Sequence, residues 1–319
     1  MRQWLFRQLE RGYERLLARE VSGAPTHVAV IQDGNRRYAR QRGDGAHDGH
    51  RAGAQTTERV LEWCQEIGVE ELTLYAFSTE NFDRPAEERE ALFDLLCEKL
   101  REFADAERVH ANEVCIRAIG DLERLPPRVR DAIDYAEGQT EGYDQFVLNI
   151  ALAYGGRAQL LEAARSVAHD VESGDLAVSD IDVDTVQERL YAQPVRDVDL
   201  IIRTGGDERT SNFLPWHANG NEAAVFFCAP FWPEFSRRDF LRGIRTYESR
   251  EASWRRTRAR RALALLRAVS EPELAEARSI LGRFRDSLPT AEQPEADAIR
   301  QPAVEASEAG DGDPSQVAD

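Results

Sequence analysis

A carboxylate followed by arginines stands directly after an apolar segment near the start of the chain. Val28–Ile31 has the length and β-branching of a buried strand, and Asp33 follows it. The next residues form a turn and bring in three arginines: Gly34, Asn35, Arg36, Arg37 and Arg40. Open α/β sheets bind ligands outside the carboxyl ends of their strands, so this stretch fits a site for a metal ion and a diphosphate. A surface turn with solvated arginines explains it equally well.

The second predicted strand also ends in polar residues. Glu71–Ser78 reads ELTLYAFS, and polar side chains continue from Thr79 to Arg84. Further apolar segments alternate with helical patterns, which predicts a parallel sheet covered by helices on both faces. In such a sheet the carboxyl ends of all strands lie on one edge. The polar residues after this strand are therefore predicted to lie on the same edge as Asp33.

A third strand end carries an anion-binding pattern. Asp199–Arg203 is followed by Gly205 and Gly206, and then by Arg209 and Ser211. Guanidinium groups can hold phosphate oxygens in bidentate fashion, glycines let backbone amides come close, and a serine hydroxyl adds a donor. A surface loop with arginine–acid pairs is the alternative. The convergence of three polar strand ends favours an anion site, because each cluster alone is a weak signal.

Glu222 and His50 are candidates because of their positions in predicted elements. Glu222 begins the last predicted strand, where with Asp33 it can share a Mg²⁺ that also takes diphosphate oxygens and water. Taken alone, it is an ordinary acid at a strand end. His50 stands at a predicted helix start, where an imidazole N–H and the helix dipole favour an anion. A lone histidine at such a place is more often structural.

The order of elements predicts one α/β domain with a central, mostly parallel sheet flanked by helices. About six strands fall within residues 25–228. An amphipathic pattern predicts an N-terminal helix over residues 1–24, and the α/β domain is predicted over 25–285. Residues 286–319 have little to bury and are predicted to be a disordered acidic tail.

The composition excludes some classes of function and suggests a source. The chain has 319 residues, with 41 Lys+Arg against 58 Asp+Glu and a net charge of −17, and such a surface repels nucleic acid. Lys99 is the only lysine, and this acidic, lysine-poor composition predicts a salt-rich cytoplasm and a halophilic archaeal source.

The four cysteines form no CxxC pair and are predicted to be buried free thiols. No apolar run reaches the length of a membrane span, which predicts a cytoplasmic protein.

Five motifs, in order along residues 26–251, resemble those of the cis-prenyltransferases: HVAVIQDGNRRYAR, GHRAGA, LTLYAFSTENFDRP, LNIALAYGGR and DLIIRTGGDERTSNF with Glu222. The resemblance implies a homodimer of α/β subunits with the fold of that family. It also implies a hydrophobic tunnel beneath the active site that holds the growing chain. Mg²⁺ is the implied cofactor.

The resemblance also implies roles for individual residues. Asp33 corresponds to the Mg²⁺ ligand that helps to ionise an allylic diphosphate, Glu222 to a second metal contact, and Asn81 to a residue that assists proton removal. The implied site for the allylic diphosphate comprises Gly34, Asn35, Arg36, Arg37 and His50, and that for isopentenyl diphosphate comprises Arg203, Arg209 and Ser211. The resemblance gives further substrate-binding residues without assigning them to one substrate: Tyr38, Ser78, Thr79, Glu80, Phe82, Arg84 and Thr210.

Four positions depart from the family pattern. Tyr38 and Phe82 stand where bacterial members usually carry tryptophan, and Arg36 replaces a common glycine. Ala46 occupies a position where many members have an arginine that contacts diphosphate. The candidates to compensate for that arginine are nearby in sequence: Arg36, Arg40 and Arg42.

The implied reaction is the sequential condensation of isopentenyl diphosphate onto an allylic diphosphate, with geranylgeranyl diphosphate as the expected archaeal starter. The expected product is a long-chain, undecaprenyl-type diphosphate, a precursor of glycosyl carrier lipid that a cytoplasmic or membrane-peripheral enzyme delivers to the membrane. The alternative is a non-catalytic binding subunit of a heteromeric enzyme, but such subunits typically lose the metal aspartate, and Asp33 is present. The lack of DDxxD and of glycine-rich nucleotide motifs argues against trans-prenyl synthases and nucleotide-binding proteins.

Overall fold

The computed structural model describes residues 14, 17–19, 21, 23–191, 195–220, 223–268, 280–283, 285–288, 290, 293, 294 and 297. The chain divides into two compact units, Met1–Glu248 and Ser249–Asp319. The predicted bounds at residues 24 and 285 stay predictions, and most of the predicted N-terminal helix and acidic tail lies outside the described residues. No helix in the described part of the chain is long and apolar enough to cross a membrane.

Short apolar segments form a single sheet. The described residues contain six strands: β1 His27–Ile31, β2 Glu71–Tyr75, β3 Val114–Ile119, β4 Phe146–Ala151, β5 Leu200–Arg203 and β6 Ala224–Phe227. They are ordered β3-β4-β2-β1-β5-β6, and each neighbouring pair is parallel. All five residues of β1 are buried, as expected for a central strand covered on both faces. The predicted parallel sheet is confirmed.

Helices connect the strands and cover the sheet. Their bounds are α1 Asn35–Arg42, α2 Ala46–Ile67, α3 Ala86–Asp105, α4 Glu107–Ala111, α5 Pro127–Thr140, α6 Gly156–Ser173, α7 Val183–Gln187, α8 Pro215–Gly220 and α9 Arg237–Ala268. Short 3₁₀ turns follow β2 at Thr79–Asp83 and β6 at Trp232–Glu234. Both turns lie near the carboxyl edge of the sheet, where the polar residues of the sequence were expected.

Three bounds differ from the sequence prediction. The apolar spacing from Pro85 to Asn112 predicts one continuous helix, but the structure interrupts it at Ala106, whose backbone is extended, so that α3 and α4 are separate. The helix predicted from His50 begins earlier, at Ala46. Strand β2 ends three residues before the predicted Ser78, because the N–H groups of Ala76 and Phe77 both bind one carbonyl of β4 and turn the chain out of the sheet.

Each face of the sheet has its own apolar core. One face is covered by α2, α3 and α5, with large side chains such as Trp63 and Phe93. The other face carries a smaller cluster around Tyr154 and Phe213. The four cysteines are buried and free, as predicted. Strand β1 lies between β2 and β5, so the chain leaves β1 towards one side and returns on the other, which opens a crevice at the carboxyl ends of β1 and β5.

Candidate active site

Asp33 is held in the crevice between β1 and β5 by its backbone. Ile31 and Arg203, the last residues of these two strands, are paired in register. The Asp33 N–H donates to Thr204 Oγ1 at 3.0 Å, and the Thr204 hydroxyl donates to the Asp33 carbonyl at 2.7 Å. The N–H of Trp232 donates to the same carbonyl at 3.0 Å. Two segments distant in sequence, at Thr204 and Trp232, therefore fix the position of Asp33.

Two glycines allow these segments to approach. Gly34 has a φ of +102°, and a Cβ there would lie 2.6 Å from Cδ1 of Phe231. Gly205 has a φ of +86°, and a Cβ there would lie 2.6 Å from Nη2 of Arg37. Both positions combine a left-handed backbone with a close neighbour, which favours glycine at each.

The Asp33 carboxylate lies between two arginines. Arg203 Nη2 is 2.7 Å from Oδ2, and Arg37 Nη2 is 3.1 Å from Oδ1. Burial of the carboxylate raises its pKa, but the hydrogen bond from Arg203 and the charges of both arginines outweigh burial and hold the pKa of Asp33 below its ordinary value. Asp33 is therefore an anion at neutral pH.

Arg203 is the centre of a second candidate anion site, which we call the second wall. Only 4% of its side chain is exposed, and its Nη1 donates to Ser211 Oγ at 2.5 Å and to the Arg209 carbonyl at 2.6 Å. Its Nε is buried without a hydrogen-bond acceptor among the described residues. Arg209 is exposed and lies 3.3 Å from Asp207, the arginine–acid pairing that a plain surface loop would also show. The buried guanidinium with an unused N–H beside a hydroxyl favours an anion site.

Arg36, His50 and Arg84 form the first wall. Arg84 Nη1 lies 2.9 Å from Glu88 Oε1 and 3.5 Å from His50 Nε2, and Arg36 Nε lies 3.8 Å from the same Glu88 oxygen. Burial, together with the charges of Arg84 and Arg36, lowers the pKa of His50 to about 3, so that its imidazole is neutral at physiological pH. Two guanidinium charges thus face one carboxylate, which leaves this wall positive and suited to an anion.

The turn after β2 is held by reciprocal hydrogen bonds. The Ser78 N–H donates to Asn81 Oδ1 at 3.1 Å, and the Asn81 N–H donates to the Ser78 carbonyl at 3.0 Å. Ser78, Glu80 and Asn81 line the cavity described below. The Thr79 N–H donates to the Tyr154 carbonyl at 2.9 Å, which ties the turn to the chain after β4. The turn therefore presents its polar side chains from a fixed backbone.

The predicted residues converge on one cavity of about 360 Å³. Its polar end contains the candidates Asp33, Asn35, Arg36, His50, Ser78, Glu80, Asn81, Arg84, Arg203, Arg209 and Ser211. Its apolar lining comes from α3 and the neighbouring strands: Leu74, Leu92, Leu95, Leu96, Leu100, Phe103, Leu148 and Ile150. One cavity thus joins a cationic region to a hydrocarbon-like interior.

Lys99 lines the same cavity far from its polar end. Measured along the helix axis, Lys99 lies about 20 Å from the first residue of α3. Its Nζ lies 3.5 Å from Glu58 and 2.5 Å from Glu102, and 18% of the side chain is exposed. The lone lysine of the chain therefore combines an apolar stem in the cavity with a paired ammonium group.

Some predicted site residues do not line the cavity. Tyr38 lies beneath the Arg42 guanidinium, 4.5 Å from ring centroid to Cζ, and Phe82 packs on Phe77 with ring centroids 5.0 Å apart. The remaining predicted residues outside the lining are Gly34, Arg37, Thr79 and Thr210. Glu222 lies outside the described residues, so its role stays a prediction.

Sequence reasoning missed several lining residues. On α3, the spacing of Leu92, Leu95, Leu96, Leu100 and Phe103 indicates an apolar stripe, but periodicity does not separate a stripe facing a core from one facing a cavity. Other missed residues are Gln32, Gly53, Thr57, Lys99 and Trp232. Gly53 belongs to the GHRAGA motif, and that motif is the sequence signal that could have identified it as a site residue. The structure explains the glycine, because a Cβ there would lie 2.4 Å from Asn35 Oδ1.

Asp33 fits a Mg²⁺ that is held mainly through a substrate. It is an ionised oxygen donor at the polar end of the cavity. The described residues contain no group of three or more His, Cys, Asp or Glu that could hold a metal ion by themselves. Mg²⁺ is commonly bound by one or two carboxylates together with substrate phosphates and water. The donor set therefore agrees with a metal site completed by a diphosphate.

The chain is similar to known polyprenyl diphosphate synthases. The family model described as "Putative undecaprenyl diphosphate synthase" matches residues 31–255. A relative from Halobacterium salinarum is 70% identical over 277 residues, which cover 87% of this chain and 91% of the relative. A relative from Methanosarcina mazei is 49% identical over 261 residues, which cover 80% of this chain and 88% of the relative. Both are named tritrans,polycis-undecaprenyl-diphosphate synthase (geranylgeranyl-diphosphate specific).

Solved structures share the fold as well as the sequence pattern. Lavandulyl diphosphate synthase from Lavandula x intermedia, in complex with dimethylallyl diphosphate, has a TM-score of 0.64 and 33% identity, covering 70% of this chain and 95% of that one. A probable undecaprenyl diphosphate synthase from Campylobacter jejuni has a TM-score of 0.57 and 32% identity, covering 71% and 96%. The halobacterial relative agrees with the halophilic archaeal character predicted from composition. The chain belongs to the undecaprenyl diphosphate synthase family, the cis-prenyltransferases.

Proposed function

We propose that the chain catalyses the Mg²⁺-dependent condensation of isopentenyl diphosphate onto an allylic diphosphate. The cavity carries this proposal. Two guanidinium-containing walls flank the ionised Asp33 at its polar end, and its interior is apolar. A diphosphate head with a hydrocarbon tail has the same two chemistries. The identity to the archaeal relatives supports the same reaction.

We assign the allylic diphosphate to the wall of Arg36, His50 and Arg84. Breaking the allylic C–O bond develops negative charge on the leaving diphosphate, and preorganised guanidinium donors stabilise that charge. Asp33 would hold Mg²⁺, which when bound neutralises further charge on the same diphosphate. Because α3 begins just after Arg84, a tail leaving this wall meets the apolar lining of that helix.

We assign the diphosphate of isopentenyl diphosphate to Arg203, Arg209 and Ser211. Arg203 touches Asp33 on one side and Ser211 on the other, so the two diphosphates would lie close together. Holding both reactants side by side turns an encounter in solution into a step within one complex. Asn81 lines the same cavity and is our candidate for assisting proton removal.

We assign geranylgeranyl diphosphate as the starter and an undecaprenyl-type diphosphate as the product, because these words stand in the names of relatives up to 70% identical. The product would serve as a precursor of glycosyl carrier lipid and pass to the membrane, with the enzyme at most peripheral to it.

We also propose a homodimer, which light scattering during size-exclusion chromatography can test. A non-catalytic subunit is not favoured, because Asp33 and both arginine walls are assembled in one chain.

Product analysis tests these assignments. Purified protein is incubated with Mg²⁺, labelled isopentenyl diphosphate, and either geranylgeranyl or farnesyl diphosphate. We expect long products, formed faster from the geranylgeranyl starter, and a loss of turnover on the order of 100-fold in Asp33→Ala. Glu141→Ala, at an exposed site, is the control. Equal use of both starters would remove the starter assignment, and undiminished turnover in Asp33→Ala would remove the catalytic role of Asp33.

A further inference from the structure

The segment after Arg209 forms a strained turn beside the second wall. The Phe213 N–H donates to the Thr210 carbonyl at 3.1 Å and closes a four-residue turn. Its central residues Ser211 and Asn212 have φ values of +49° and +60°. Positive φ at both central positions is the pattern of a type I′ turn, which glycine, asparagine and aspartate favour. Ser211 is unfavourable there, so surrounding contacts must hold the turn.

Asn212 makes contacts that can hold this turn. Its Oδ1 accepts the Arg157 N–H at 2.8 Å, and its carbonyl accepts the Gly156 N–H at 3.0 Å. Both N–H groups belong to the first turn of α6, where the backbone has no acceptor within the helix. Asn212 therefore caps a helix that begins more than 50 residues earlier in the sequence.

The packing leaves little room for another arrangement. A Cβ on Gly156 would lie 2.1 Å from Cδ of Pro215 and 2.9 Å from the Asn212 carbonyl oxygen. A Cβ on Gly155 would lie 2.9 Å from Oγ1 of Thr79. The turn is thus pressed against the start of α6, which in turn touches the Ser78–Asn81 segment. Asn212 therefore packs on the start of α6, next to the segment that contains Thr79.

The turn sets the position of Ser211. Its Oγ accepts the hydrogen bond from Arg203 Nη1 at 2.5 Å, and Ser211 lines the cavity. Because an accepted hydrogen bond leaves the hydroxyl proton free to donate, Ser211 can still bind a phosphate oxygen. Arg203 also binds the Arg209 carbonyl, so the turn and the buried guanidinium are linked at two points.

We propose that Asn212 is a positioning residue for the second diphosphate. By capping α6 it holds the Thr210–Phe213 turn in its left-handed conformation, and the turn presents Ser211 and Arg209 to isopentenyl diphosphate. The cap has a second effect: it occupies two N–H groups of a helix start, which would otherwise attract an anion away from Arg203. This inference rests on the proposed function.

Three substitutions separate the backbone of residue 212 from its side chain. Asn212→Ala loses the side-chain bond to the Arg157 N–H and disfavours positive φ, Asn212→Gly loses that bond alone, and Asn212→Asp keeps an acceptor for the Arg157 N–H. We expect the KM for isopentenyl diphosphate to rise about tenfold in the alanine variant, to rise less in the glycine variant and to stay within about twofold in the aspartate variant. The KM for the allylic substrate should stay unchanged in all three.

Calorimetric titration with isopentenyl diphosphate, without an allylic partner, gives a readout that needs no turnover. We expect the dissociation constants to follow the same order. Asn112→Ala is the matched control, because the Asn112 side chain also binds the backbone at a helix end, donating to the Arg108 carbonyl at 2.8 Å, but lies away from the cavity lining. It should leave both KM values unchanged.

Several outcomes would overturn the proposal. Equal rises in both KM values would indicate general damage, and a folded Asn212→Ala with unchanged isopentenyl diphosphate binding would show that the cap is dispensable. If the alanine variant does not fold, an Asn212→Gly variant that equals the unmodified protein in both assays leads to the same conclusion. Absence of turnover with every starter, with isopentenyl diphosphate still bound and weakened by Asn212→Ala, would reject the proposed function and keep this inference.

Discussion

We predict that Arg36 takes the place of the arginine that the family pattern expects at Ala46. Arg36 lines the cavity and lies 3.8 Å from Glu88, whereas Arg40 does not line the cavity and Arg42 stacks on the ring of Tyr38 outside it. We expect Arg36→Gln to raise the KM for the allylic substrate about tenfold, because a hydrogen bond between charged groups is lost. Initial rates at a series of geranylgeranyl diphosphate concentrations measure this KM.

Arg40→Gln is the control for this prediction, because it removes the same charge from the same helix. It should leave the KM for the allylic substrate within about twofold of the unmodified protein. If both variants weaken binding equally, the net charge of α1 matters and Arg36 has no specific contact. Lack of any change in Arg36→Gln would leave the substitution at Ala46 uncompensated.

Residues at strand ends could be predicted from the sequence, and residues inside helices could not. Asp33, Ser78 and Arg203 follow apolar segments, and a parallel sheet brings such ends together whatever the order of its strands. Lys99 stands among leucines on a helix, where nothing in the sequence shows that one face of the helix borders a cavity. The function of Glu222 rests on the family pattern alone.

At the scale of elements, the turn after β5 depends on one of its two glycines for a close contact. Gly205 and Gly206 have φ values of +86° and +79°, but a Cβ on Gly205 would lie 2.6 Å from Arg37 Nη2, while nothing lies within 4 Å of one on Gly206. Alanine at either position strains the backbone by about 1 kcal/mol. Only Gly205→Ala also displaces Arg37 from Asp33.

We therefore expect similar falls in melting temperature for Gly205→Ala and Gly206→Ala, but a loss of kcat of about tenfold for Gly205→Ala alone. Thermal melts and steady-state kinetics on the two variants provide the comparison. An equal loss of activity in both would assign the effect to backbone strain, and would mean that the contact between Arg37 and Asp33 does not contribute to turnover.

Helix α3 provides a second prediction at this scale. Lys99 lines the cavity about 20 Å from the start of the helix, and its side chain has a four-carbon stem. Lys99→Ala removes that stem, so we expect the product distribution to shift to longer chains. Mass spectrometry of the products measures the shift. Arg101→Ala, an exposed change on the same helix, should leave the distribution unchanged, and an unchanged distribution in Lys99→Ala would show that products do not extend as far as Lys99.

Elements with an apolar pattern were predictable, and elements without one were not. Helix α1 has no such pattern, because Ala39 is its one buried residue, so no helix is predicted there. The strand order β3-β4-β2-β1-β5-β6 could not be predicted either, because the apolar pattern of a buried strand does not indicate which strands pair with it. The common edge of the strands required only that the sheet be parallel.

At the scale of the whole molecule, the charge of −17 opposes the substrates that the cavity favours. Two arginine walls attract diphosphates at short range, while the remaining surface repels them at long range. Screening by salt shortens the repulsion to within about 10 Å at 0.1 M and less at higher concentrations. A salt-rich cytoplasm therefore allows an acidic surface and an anion-binding cavity to coexist in one protein.

Two buried histidines outside the cavity make the fold sensitive to acid. His27 Nε2 lies 2.7 Å from Thr73 Oγ1, and both ring nitrogens of His217 are buried without partners among the described residues. Burial lowers the pKa of each histidine from 6.5 to about 4. Between these values the unfolded chain binds more protons than the folded protein, so the free energy of unfolding decreases as the pH falls from about 6.5 to about 4.

Urea denaturation at pH 7.5, 6 and 5 tests this directly. Each pKa unit of difference between the folded and unfolded states changes the free energy of unfolding by about 1.4 kcal/mol. In His217→Gln the free energy of unfolding should therefore depend measurably less on pH than in the unmodified protein. His47→Gln, at an exposed histidine, should keep all of it. Glu71, whose pKa burial raises, acts in the opposite direction, so the difference between variants isolates the histidine. An unchanged pH dependence in His217→Gln would mean that His217 is not buried as a neutral side chain.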